Sequence, residues 1–222
     1  MNFKFKLTLI LLVLINCFGF AVTINSPLKF QQDIPAIKPS YRASQLLEAD
    51  KSEEVIAFCK IEISKLLKAP IIDSLEIAEL YKYQNKAYYK LQDYFESIKI
   101  VDKAIPYCNN SEAGRLLKGK LYSDKASAYN YTNKNKATFN STLNAIKYLS
   151  SVKKPNFDYL ITSYRYLSEQ CAYHGNTDDV KRYIRQAEEL YRKNKEEVDS
   201  ALTRADGYRY KYDIILLIEL YI

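Results

Sequence analysis

The stretch AYHGNTDD holds the single histidine of the chain, His174, four and five residues before Asp178 and Asp179. Those residue types suit a general base oriented by a carboxylate, or a metal ion held by an imidazole and acids. A plainer reading is preferred. His174 and Gly175 form a polar turn, and the acids sit at the start of the next helix, where the macrodipole favours negative charge. With one histidine and no Cys-x-x-Cys spacing, the usual zinc ligand sets are missing. Beyond Cys17, the cysteines are Cys59, Cys108 and Cys171, an odd number that does not read as a disulfide framework. They are expected to be small, partly buried thiols on helices. Glu188-Glu189 and Glu196-Glu197 read as solvated acids, because a carboxylate dyad needs burial to split its pKa values. The 5 glycines are scattered and form no phosphate-cradling loop. No catalytic residue, metal ligand or cofactor is therefore assigned, and the chain is not expected to be an enzyme.

The elements that carry these residues come from a 222-residue chain with 48% hydrophobic residues, enough for a real core. Tyrosine is unusually common at 21, and tryptophan is absent. Tyrosine has an apolar body and a polar tip, suited to helix seams and to binding grooves. Residues 1–21 stand apart. Lys4 and Lys6 precede the apolar run LTLILLVLINCFGF, and Gly19 and Ala21 offer small residues at a cleavage site. This predicts an export signal cut after Ala21, hence a periplasmic or secreted protein. The alternative is lipid attachment at Cys17, giving an anchored lipoprotein. Loss of residues 1–21 lowers the net charge from +7 to +5. That charge is spread along the chain with no dense basic block, so nucleic acid is not expected as a partner.

Residues 22–39, with Pro27, Pro35 and Pro39, read as an irregular lead-in. From 40 to 222 helical periodicity dominates and no strand-like alternation competes. The expected helices are 40–48, 52–68, 73–90, 93–105, 111–131, 135–151, 156–173, 177–194 and 198–221. Asp50 with Glu53, Asp73 with Glu76 and Asp93 with Glu96 fit the capping-box spacing. Asn156 and Thr177 suit simple N-caps. Short links around Gln92, Asn133 and Gly175 make neighbouring helices antiparallel.

The pattern repeats. Tyr81, Tyr122 and Tyr164 are spaced by 41 and 42 residues, and so are Ala104, Ala145 and Ala187. Tyr88, Tyr129 and Cys171 follow the same shift, as do Val101, Thr142 and Ile184. Small residues in the alanine column let two helices approach closely. A hairpin of this kind has too little core alone, and stacking on the next completes it.

Residues 78–109, 119–150 and 161–192 resemble tetratricopeptide repeats, with an aromatic opening the first helix and small residues recurring in the second. Residues 166–190, YLSEQCAYHGNTDDVKRYIRQAEEL, fit that layout best. The 41–42 residue period is longer than the family's usual 34 and implies longer helices. The resemblance implies an all-α, right-handed solenoid of antiparallel helix hairpins, about four to five units over residues 40–222.

The resemblance also implies a concave groove lined by the first helix of each unit. By position Lys82, Lys86, Tyr89 and Lys90 face it from one unit, Asn130 and Tyr131 from the next, and Arg165 and Tyr173 from the third. Cations with interleaved tyrosines suit an acidic peptide or protein segment. The expected function is a non-enzymatic protein- or peptide-binding scaffold outside the cytoplasm. An alternative is the input-binding portion of a truncated signal-transduction regulator. Residues 208–222, YRYKYDIILLIELYI, are apolar nearly all round toward their end, which suggests self-association or a missing continuation past Ile222.

Overall fold

The computed structural model describes residues 37–198. The expected leader with Cys17, all but the last residues of the lead-in, and the apolar end at 208–222 lie outside the described residues. Among the described residues every regular element is a helix: α1 (Pro39–Glu48), α2 (Ser52–Leu67), α3 (Ser74–Lys90), α4 (Tyr94–Ala104), α5 (Glu112–Tyr131), α6 (Asn135–Leu149), α7 (Phe157–Tyr173) and α8 (Thr177–Lys193). A short 3-10 turn, Ile105–Tyr107, extends α4. Each helix packs on the next, and α1, α3, α5 and α7 also touch in series. The order is four hairpins, α1–α2, α3–α4, α5–α6 and α7–α8.

One turn geometry closes all four. Asp50, Gln92, Asn133 and Gly175 have positive φ, of 60, 61, 54 and 73°. They lie 42, 41 and 42 positions apart, so the backbone carries the same period as the side chains. After each, the next N–H returns to a carbonyl five residues back: Lys51 to Leu46, Asp93 to Tyr88, Lys134 to Tyr129 and Asn176 to Cys171, at 2.9–3.0 Å. This is the Schellman closure, which satisfies helix-end carbonyls through a left-handed residue. The column Tyr88, Tyr129, Cys171 thus marks the accepting carbonyls, and Leu46 joins it as the member from the opening hairpin.

The caps follow in part. Asp73 Oδ1 accepts from Glu76 N at 3.0 Å, Asp93 Oδ1 from Glu96 N at 3.1 Å and Asn156 Oδ1 from Tyr159 N at 3.3 Å. The glutamates do not reach back. Buried Glu76 instead accepts from the Ser40 N–H and hydroxyl at 2.6 and 3.0 Å, fastening α1 to α3. The Asp50 capping box does not form. Asp50 is the left-handed turn residue, and Lys51 takes the cap position without a side-chain bond. The cap of α8 is Asn176, one residue before the expected Thr177, and accepts from Asp179 N at 3.2 Å.

The repeat columns form the core. Ala104 and Ala145 are fully buried and Ala187 nearly so; Val101, Thr142 and Ile184 are buried beside them. Thr142 fits an apolar column because its hydroxyl donates to Thr138 O at 2.8 Å, one turn back. Tyr81, Tyr122 and Tyr164 each meet a second tyrosine from the hairpin's second arm: Tyr107, Tyr148 and Tyr183, with ring centroids 5.9, 5.7 and 6.3 Å apart. At Gly119 on α5 the neighbouring α6 packs directly against the glycine. A Cβ there would sit 2.7 Å from Leu149 Cγ, so only glycine admits α6 at that depth. The described cysteines are free and buried, Cys59 and Cys171 on helices and Cys108 just past the 3-10 turn. Burial pushes their thiols up, Cys59 to about 12 and Cys108 to about 11.

Candidate binding face

The helices α3, α5 and α7 open the second, third and fourth hairpins and lie side by side. Their shared face carries most of the residues expected to bind. Its centre is a hydroxyl relay: Tyr89 Oη and Tyr166 Oη each lie 2.8 Å from Ser127 Oγ, so one serine on α5 joins α3 to α7. Burial raises both phenols above their usual range, which keeps them protonated at neutral pH. A buried amide works in parallel. Ser97 Oγ donates to Asn85 Oδ1 at 2.6 Å, and Asn85 Nδ2 donates to Asp124 Oδ2 at 3.2 Å. This links α4, α3 and α5.

Toward the C-terminal ends of these helices lie Tyr89, Tyr131 and Tyr173, spaced by 42 residues twice. Tyr131 stacks on Tyr94 at 4.9 Å and meets Tyr89 edge-on at 5.7 Å. It is nevertheless 54% exposed, and Tyr173 is 74% exposed. Between them Gln170 Nε2 donates to Asn130 Oδ1 at 3.3 Å.

Toward the N-terminal ends the face is ionic. Lys82 pairs with Glu79. Lys86 and Lys120 surround Asp124, and Lys120 also acts on Asp158. Burial pushes the Asp124 carboxyl up, against the pull of Lys86, Lys82 and Lys120. Asp158 is raised by burial in the same way. Lys120 is lowered, first by burial and then by Lys82. At Lys82 burial pulls downward, but Glu79, Tyr83 and Asp124 outweigh it and hold the ammonium above its usual range. Three cations thus face three carboxylates.

Of the expected groove residues, Tyr89 and Tyr131 meet ring to ring, Asn130 bonds to Gln170, and Lys82 and Lys86 both act on the half-buried Asp124. Several cations are engaged internally. Lys90 pairs with Asp50 at 3.0 Å, tying α3 to the first turn, and Arg165 pairs with Glu169 at 2.6 Å. Among the described residues Tyr173 makes an edge contact with His174, at 5.5 Å. His174 is exposed at the end of α7, while Asp179 goes to Arg182 at 2.7 Å and to Asn176, so no histidine–carboxylate pair forms there. Ser127, Asp124 and Lys120 were not singled out from sequence. Ser127 lies 38 residues after Tyr89 and 39 before Tyr166, off the 41–42 residue period, so the repeat does not mark it. No family model matches the chain, and no curated protein matches it.

Proposed function

We propose that the chain is a non-enzymatic helical-repeat scaffold of the tetratricopeptide type, a solenoid that binds a protein or peptide segment along the α3–α5–α7 face. The observation that carries this reading is the tyrosine row. Tyr89, Tyr131 and Tyr173 occur at one period on helices that lie side by side, and the last two expose most of their rings. The exposed ring faces bury nothing within the chain, whereas tyrosine is an efficient contact residue for a partner. Internal pairing of Lys82, Lys90 and Arg165 shifts the weight of recognition from charge to aromatic contact.

The scaffold is assigned to the extracytoplasmic side on the strength of residues 1–21. No described helix is long and apolar enough to cross a membrane. Replacing both Tyr131 and Tyr173 by alanine is expected to abolish partner capture by the exported protein while leaving its helical circular dichroism unchanged. Undiminished capture by the double variant would refute the face assignment.

A further inference from the structure

A second site lies away from the tyrosine row. Helices α2 and α4 pack on α3 rather than closely on each other. The space between them is a cleft of about 440 Å3. Its apolar floor includes Ile63 and Ile100, 4% exposed each, with the ring of Tyr81. Its rim carries Lys60, Lys68 and Lys103, all exposed. The single lining carboxylate, Glu96, is held by Lys99 and is further lowered by Lys103 and Lys60. Among the described residues, Lys60, Lys68 and Lys103 form no ion pair of their own.

From Lys60 to Lys68 the cleft runs eight residues along α2, about 12 Å at the helical rise. Glu96, the one lining carboxylate, acts on Lys103 as well as on Lys60, so the cleft keeps an excess of positive charge, carried on one wall by Lys68 and on the other by Lys103. Both are near helix C-termini, whose partial charge of roughly −0.5 each is outweighed by two full positive charges. The volume is that of a small-molecule site, and the lining is apolar with a few convergent charges. We propose that this cleft binds a small anionic amphiphile, a carboxylate whose acid meets Lys68 and Lys103 and whose apolar body covers Ile63, Ile100 and Tyr81.

Decanoate titrated into the full chain, followed by calorimetry, tests this. Saturable binding below millimolar concentration is expected. Lys68→Glu with Lys103→Glu should weaken it by roughly tenfold or more, the loss of at least one charge-assisted contact. Lys181→Glu, on α8, should leave it unchanged, and decanol should bind more weakly than decanoate. Thermal unfolding of each variant checks the fold. No saturation, or equal affinity in the charge-reversed variant, would overturn the site. An acidic amphipathic peptide that binds more tightly than decanoate, and is lost in the same double variant, would overturn the small-molecule occupant.

Discussion

Ser127 shows how one side chain can couple three helices. Its hydroxyl lies between the half-buried Tyr89 phenol and the buried Tyr166 phenol, so Ser127→Ala leaves each short of a partner. Stability should fall by about 1–3 kcal/mol, the cost of unsatisfied buried hydroxyls. Chemical denaturation would measure it, and Ser127→Thr should recover part of the loss. Asp124 makes a different prediction. Its folded pKa is raised, so the folded state holds the proton more tightly than the unfolded chain, whose ordinary value is 3.8. The stabilisation is complete below that value and is lost as pH rises through the folded pKa. Asp124→Asn keeps an acceptor for Asn85 and removes this titration. The fall in stability from about pH 4 upward should therefore flatten in the variant. An unchanged pH profile of the melting temperature would contradict the burial argument. Neither residue stood out in the sequence. A lone serine or aspartate on a helix carries no periodic signal, and its role depends on what a helix some forty residues away places beside it.

At the scale of elements, the hairpin turns govern the repeat. Glycine occupies the left-handed position in the last turn, whereas Gln92 takes it in the second at a steric cost. Gln92→Gly should raise stability by roughly 0.5–1 kcal/mol, and Gly175→Ala should lower it by a similar amount. Differential scanning calorimetry of the two variants reads both signs. The turns were legible at Gln92, Asn133 and Gly175 because apolar periodicity stops on either side of them. The first turn was misread. Asp50 and Glu53 have the spacing of a capping box, but a Schellman closure needs its left-handed residue at that very position, and Asp50 supplies it. The α8 cap directly follows the left-handed Gly175, so it falls on Asn176 and not on Thr177. Helix existence was readable because propensity, caps and periodicity agreed. Cap identity was not, because two local motifs contended for one residue.

At the scale of the whole molecule, contacts between helices two apart decide what the faces can do. The link from Tyr89 through Ser127 to Tyr166 and the bond from Gln170 to Asn130 register α3, α5 and α7 against one another. The tyrosine row was visible as a spacing. The neutralisation of Lys90 was not, since its acid lies in the first turn, forty residues earlier, whereas the partners of Lys82 and Arg165 are only three and four residues away on the same helix. The α2–α4 cleft was equally hidden, because its walls come from helices that are not consecutive. The proposed scaffold role is tested most directly by photo-crosslinking in cells, with a photoreactive residue placed in turn at positions 131, 173 and 147. Positions 131 and 173 lie in the tyrosine row, and Lys147 is an exposed residue of α6. One dominant adduct, shared by 131 and 173 and missing from 147, is the expected result. Adducts at 147 equal to those at 131 and 173, or none at either tyrosine position, would contradict a partner-binding α3–α5–α7 face.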